Sequence, residues 1–450
     1  QIPFFADLLY FVIMRYLKQS SFELRRRARI ANFQARHHSP QLTVEDFSLV
    51  TPGMGLHIFP WKMGTLRSGD PTIFVQVMEK QEKLWHSIHP TSGVQVNPED
   101  VVLCSGCSCA LDKCISVLAN PGQNIVMPRP GFPLYRTQAE GLGIKVKSYD
   151  LKPECDWEVD LSHLEAQIDS KTAAIIIINP SNPCGSVYSR QHLLDILNIA
   201  RKKFVPIIAD EIYEHMVFPG EHFTSLASLS EEVPILSCSG LTKRFLVPGW
   251  RMGWIIIHDR NDIFKKGEIR QGIQKLSQRS LASNTLVQGA LPGILKNTPD
   301  KFFEDTVQTL QCHAKIAYDN LEKVKGLKPI MPRGAMYIMV GIDMAHFPEF
   351  QTELQFVEQL VTEESVFCLP GKCFDYPNYM RLVVTVPEEQ LHEACQRISD
   401  FCERHYQETA NKSANTNTAE THTTGKTANY SCTVMMSHMA TVQKDDGIRP

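Results

Sequence analysis

The chain has 450 residues, 43% of them apolar and 21% charged, with a formal net charge of −3. That length exceeds one small core and points to two or three domains in an ordinary globular chain. A charge so near zero argues against nucleic acid or an anionic membrane as the main partner. Thirteen cysteines lie scattered, mostly in apolar runs, which fits reduced, buried thiols in a cytoplasmic protein better than a disulfide scaffold.

In chain order, residues 1–62 form a segment of uncertain structure. The apolar run 4–14 is interrupted by Asp7 and is shorter than the ~20 residues a membrane span needs. Followed by Arg25, Arg26 and Arg27, it reads as a terminal helix or a signal-like anchor, and no membrane partner is expected. Residues 63–96 lead into a large unit over 97–293. There, short apolar runs at 101–104, 125–127, 144–146, 174–178, 206–209, 234–238 and 254–257 alternate with helical patterns such as 189–203. That alternation predicts an α/β fold with a mostly parallel sheet covered by helices. From 294 to 407 the pattern changes to a smaller α+β domain. A long helix is expected over 298–324, with Thr298 as N-cap and Pro299 at the first helical position. Further helices are expected over 353–364 and 388–405, with strands over 336–340 and 382–385. From 408 to 450 the chain is polar, lacks apolar periodicity, and reads as a disordered tail.

Ligands of open α/β sheets bind beyond the carboxyl ends of the strands. The first run is followed by Ser105-Gly106-Cys107-Ser108, opening a helix, and the second by Arg129-Pro130-Gly131-Phe132. Run 174–178 is followed by Asn179-Pro180-Ser181-Asn182, run 206–209 by Asp210, Glu211 and Tyr213, and run 234–238 by Ser239 through Lys243. A glycine turn opening a helix offers N–H groups to a phosphate. A lysine at an apolar strand end is costly to bury as a cation, and its neutral amine can attack an aldehyde. Asp210 ends an apolar strand, where a protonated pyridine nitrogen would pair it. Phe132 could stack on such a ring. Taken singly, each has a plainer reading: an ordinary strand–helix turn, a surface lysine, a structural salt bridge, a core aromatic. Together they describe a site for a planar, phosphorylated, cationic ring. Cys104, Cys107, Cys109 and Cys114 are not followed by a second CxxC pair or paired histidines, so no metal is expected.

Four stretches, SGCSCALDKCISVLANPGQNIVMPRPGFPLY, INPSNPCGSVYS, IIADEIYEHMVF and PILSCSGLTKRFLVPGWRMGWIIIHDR, resemble the pyridoxal 5'-phosphate (PLP) aminotransferases of fold type I. RGAMYIMVGIDMAHFPEF and CFDYPNYMRLVVTVPEE add to the match, which runs over 64–406. The spacing from Lys243 to Arg251 is the most specific part. The resemblance implies that Lys243 holds the PLP aldehyde and then serves as the general base. It implies that Asp210 keeps the pyridine nitrogen protonated, so that the ring is an electron sink. Tyr213 and Asn182 would hydrogen-bond the ring's phenolic oxygen, and Phe132 would stack on the ring. Arg251 and the backbone N–H groups of Gly106, Cys107 and Ser108 would hold the phosphate. Arg381 would grip the substrate carboxylate with its two-pronged fork, with Asn182 and Gly69 beside the substrate. The implied reaction takes an amino group from an aromatic amino acid, tyrosine foremost, to 2-oxoglutarate, in a homodimer with the site at the subunit interface. Between Thr72 and Val101 the chain is shorter than the family's pattern, and no tyrosine there matches the one that reaches the partner's phosphate. A β-eliminating lyase on cysteine conjugates and a catalytically impaired PLP-binding relative are the alternatives left open.

Overall fold

Isoleucines at 175–178 and 207–208 give strands that are apolar on both faces, which suits a sheet buried between two layers. The computed structural model describes Val96 and residues 100–259, 261–279 and 283–408. Gly69, the N-terminal segment, the rest of the shortened stretch up to 99 and the tail beyond Glu408 lie outside the described residues. The strands of the large sheet are β1 (Val101–Cys104), β2 (Asn124–Arg129), β3 (Lys145–Lys152), β4 (Glu158–Val159), β5 (Thr172–Ile178), β6 (Ile207–Asp210), β7 (Ile235–Gly240) and β8 (Gly253–His258). Their order is β1-β8-β7-β6-β5-β2-β3-β4. The five strands from β7 to β3 pair in parallel. β8 is antiparallel to both of its neighbours, β1 and β7, and β4 to β3. The expected α/β fold with a mostly parallel sheet is therefore present.

Alternate residues of one strand serve opposite faces. Ile176 and Ile178 pack with Ala110, Leu111, Cys114 and Ile115 of α1 (Cys107–Leu118). Ile175 and Ile177 pack on the other face with Leu193, Ile196 and Ala200 of α4 (Arg190–Lys203). Between them in sequence lie α2 (Leu134–Gly141) and α3 (Leu161–Gln167). Ser189 caps α4 by accepting from the His192 N–H, as its hydroxyl suits. After β8 come α5 (Ile269–Arg279) and α6 (Thr285–Asn297). α6 runs unbroken through 293, and its Leu291 packs with Val101 and Leu103 of the large sheet.

The second sheet has the order β11-β12-β10-β9, all antiparallel. Its strands are β9 (Leu327–Ile330), β10 (Tyr337–Ile342), β11 (Leu369–Pro370) and β12 (Tyr379–Val383). It packs with α7 (Asp300–Leu321), α8 (Glu353–Glu364) and α9 (Glu388–His405) through Ile338, Val340, Phe356, Ile398 and Phe401. Two expectations need correction. Thr298 does not cap α7: that helix starts at Asp300 with Pro299 at its N-cap. The Thr298 hydroxyl donates instead to the Ile294 carbonyl and closes α6, whose last turn claims it first. The strand expected over 382–385 begins at Tyr379, because β12 pairs with β10 from Tyr379 onward, and this brings Arg381 into the strand. Among the described residues, no helix is long and apolar enough to cross a membrane, and no cluster of three or more His, Cys, Asp or Glu could hold a metal ion.

Candidate active site

β1, β2, β5, β6 and β7 share a direction, so the loops after them meet at one rim. β8 runs the other way, so its beginning reaches that same rim: Gly253 lies opposite both Cys104 and Gly240. Arg251 precedes that strand and arrives beside the start of α1. A Cβ on Gly253 would stand 2.6 Å from the Cys107 nitrogen, so only glycine lets the helix start sit this close to the sheet. Gly106 takes φ 82° at the N-cap, and no side chain caps α1. A Cβ on Gly106 would overlap the Arg251 guanidinium, which lies across the turn and donates to the Ser105 and Pro248 carbonyls, each at 3.0 Å. Of the three N–H groups expected to meet a phosphate, that of Gly106 already donates to the Cys104 carbonyl at 2.8 Å. Those of Cys107 and Ser108 make no backbone hydrogen bond among the described residues, as expected for the first turn of a helix.

Asp210 closes β6 and is 2% exposed. The Tyr135 hydroxyl donates to its Oδ2 at 2.6 Å, and the Ile212 N–H and the Cys107 thiol approach Oδ1 at 3.3 and 3.7 Å. Burial raises the Asp210 pKa, and these three donors and the Lys243 charge oppose that rise. Burial, and then the Asp210 charge, push the Tyr135 phenol well up, so it stays a donor. Phe132 is partly buried and meets Tyr135 edge to face, with centroids 5.6 Å apart.

Lys243 sits in the single turn Leu241–Arg244, immediately after β7. Its Nζ lies 3.5 Å from the Tyr337 hydroxyl, 3.8 Å from Met336 Sδ and 5.3 Å from the Tyr213 ring centroid. The Tyr213 and Tyr337 hydroxyls are 2.8 Å apart. Arg381 donates from Nη1 to Asn182 Oδ1 at 2.8 Å, while its Nε is buried without a hydrogen-bond partner. Its guanidinium lies 4.2 Å from the Tyr337 ring centroid and 4.8 Å from that of Phe374. Burial lowers the Arg381 pKa, and Tyr337 and Tyr213 oppose that.

Tyr213, Lys243, Asn182 and Arg381 are thus tied through Tyr337 into one neighbourhood, close enough to Asp210 for the Lys243 charge to act on it. Arg251, Gly106, Cys107 and Ser108 stand together at the start of α1, and Cys107 joins the two groups by touching Asp210. The arrangement can take an anion at the helix start, a protonated ring nitrogen at Asp210, an aldehyde at Lys243 and a carboxylate at Arg381. Neither Tyr135 nor Tyr337 stands out in the sequence. Tyr135 could have been noticed as the hydroxyl-bearing ring one helical turn after Phe132, but Tyr337 sits in an apolar strand and carries no local signal.

Residues 64–398 match the family model of aminotransferase class I and II. The tyrosine aminotransferase of Bos taurus is 60% identical over 308 residues, covering 68% of this chain and 69% of that protein. An S-alkyl-thiohydroximate lyase of Arabidopsis thaliana is 34% identical over 70% of this chain and 68% of its own. Among solved structures, the crystal structure of tyrosine aminotransferase from Leishmania infantum is similar with a TM-score of 0.71 and 34% identity. It covers 74% of this chain and 81% of that one.

Proposed function

The chain belongs to the class I and II aminotransferases, and on that premise we propose that it moves the amino group of an aromatic amino acid, L-tyrosine foremost, to 2-oxoglutarate. The products are 4-hydroxyphenylpyruvate and L-glutamate, a step of tyrosine catabolism. The observation that carries this reading is the meeting of Lys243 and Asp210 with an arginine whose buried Nε has no partner. The 60% identity to the bovine tyrosine aminotransferase supports tyrosine as the donor.

The donor set fits PLP. The Cys107 and Ser108 N–H groups and Arg251 would hold its phosphate, at a turn where a Cβ on Gly106 would displace the Arg251 guanidinium. Asp210 would pair its ring nitrogen, Tyr213 and Asn182 its phenolic oxygen, and Lys243 its aldehyde, with Phe132 beside the ring. When bound, the cofactor supplies an electron-withdrawing ring that accommodates the electron pair left at Cα. The Lys243 amine would act as the general base that moves the proton between Cα and the cofactor, in one direction with the amino acid and in the other with the keto acid. Arg381 would orient both substrates through the carboxylate they share, so that Cα faces the same base in each half-reaction. Asp210, held at both oxygens, would keep its carboxylate in place to pair the ring nitrogen. The reading extends to a homodimer in the cytoplasm.

A second reading is β-elimination on cysteine conjugates, supported by the 34% identical lyase. The test is to incubate purified protein with PLP and tyrosine, with and without 2-oxoglutarate. Equal amounts of glutamate and hydroxyphenylpyruvate, dependent on the keto acid, are expected. Ammonia release from cysteine conjugates without any keto acid, and no glutamate from tyrosine, would replace this reading by the second.

A further inference from the structure

Tyr337 belongs to the small sheet, yet its contacts reach both parts of the site. It pairs with Val383 across β10 and β12, so Arg381, two positions before Val383, is its diagonal neighbour on the same face. That placement explains why the guanidinium lies over the ring at 4.2 Å, within cation–π range. The other end of the ring points back to the large sheet. Its hydroxyl is 2.8 Å from that of Tyr213 and 3.5 Å from Lys243 Nζ. The side chain is held: Tyr337 is 6% exposed. One ring therefore touches the arginine that would grip the carboxylate and the amine that would move the proton.

Resting on the reading above, we propose that Tyr337 is a positioning residue that ties the carboxylate grip of Arg381 to the amine of Lys243. Its ring fixes the plane of the guanidinium, so that Nε and the free edge of the fork stay aimed at an incoming carboxylate. Its hydroxyl accepts from Lys243 and shares a hydrogen bond with the Tyr213 hydroxyl, which sets where the amine stands when a substrate Cα arrives. The two halves of the side chain make two separable contributions. The face serves binding and the hydroxyl serves proton transfer. Burial raises the Tyr337 pKa, but the Lys243 and Arg381 charges beside it bring it below the ordinary phenol value, in keeping with a hydroxyl between two cations.

Two variants separate the halves. Tyr337→Phe keeps the ring and removes the hydroxyl. It should leave KM for tyrosine and 2-oxoglutarate within about twofold, lower kcat about tenfold, and raise the kinetic isotope effect of Cα-deuterated tyrosine. Tyr337→Leu also removes the face and should raise KM for both substrates about two- to thirtyfold. Calorimetry of cofactor-free protein with 3-(4-hydroxyphenyl)propionate gives a readout apart from turnover: wild type and Tyr337→Phe bind alike, and Tyr337→Leu binds more weakly. The wild-type holoenzyme is first reduced with borohydride and mapped. Label at Lys243 with no split between the variants, or no carboxylate binding by the wild-type protein, overturns the proposal alone. Absence of label at Lys243 overturns the functional reading and this proposal with it.

Discussion

Removing the Tyr135 hydroxyl isolates the support of Asp210. Tyr135→Phe keeps the ring, its edge-to-face contact with Phe132 and its place in the core. It deletes one donor, 2.6 Å from Asp210 Oδ2, in a setting where both groups are fully desolvated. A hydrogen bond to a charged group contributes about 1.5–3 kcal/mol, so the ionised carboxylate loses that support, equivalent to about ten- to a hundredfold in its equilibria. Burial already raises Asp210, and the lost donor was one of the groups opposing the rise, so its pKa climbs further. The sign follows directly. The carboxylate must be charged to pair a ring nitrogen, and that charge disappears as pH falls through the folded pKa. Tyr135→Phe therefore moves the acid limb of the activity profile to higher pH and weakens PLP binding about ten- to a hundredfold at neutral pH. The assay is a pH series of kcat/KM for tyrosine at saturating PLP, with the PLP dissociation constant measured by equilibrium dialysis. An unmoved acid limb together with unchanged PLP affinity would refute the reasoning and reduce Tyr135 to core packing.

Three further outcomes are expected. Asp210→Ala lowers the transamination rate by ~10²–10⁴, the range for a lost proton-handling group, in single-turnover absorbance traces; a near-normal rate would make Asp210 merely structural. Arg381→Lys weakens tyrosine and 2-oxoglutarate alike by about ten- to a hundredfold in KM, since a point charge cannot reproduce the fork; loss confined to the amino acid would show that the role is wrong. Glu214 is buried beneath the Lys243 turn and accepts from the Ser239 hydroxyl at 2.8 Å, and burial lifts its pKa to about 7. The folded form then holds a proton that the unfolded chain has released, so the Glu214 contribution to stability is fullest below pH 4.5 and is lost as pH rises through about 7. Denaturant titrations of Glu214→Gln across that window should lose this part of the decline, and an unaltered pH dependence would contradict the assignment.

Local pattern was enough wherever one stretch of chain sets its own fate. The apolar runs at 174–178 and 206–209 announce buried parallel strands because every residue there is apolar on both faces, and the helices Glu353–Glu364 and Glu388–His405 follow their own periodicity to the residue. The rim loops were legible too, since strands of one direction deliver their polar ends to one edge: Asn182, Asp210, Tyr213 and Lys243 could be placed there before any geometry was known. Pairing partners were not legible. The reversal of β8 brings Arg251 to the rim, and that depends on which neighbours the strand chooses, not on its own apolar pattern. Thr298 reads as a helix start only until α6 is known to end on it. Tyr135 and Tyr337 act through single hydroxyls on groups 75 and 124 positions away, Asp210 and Tyr213. A hydroxyl's role is set by what folding brings within hydrogen-bond reach, and in sequence neither ring shows which group that will be.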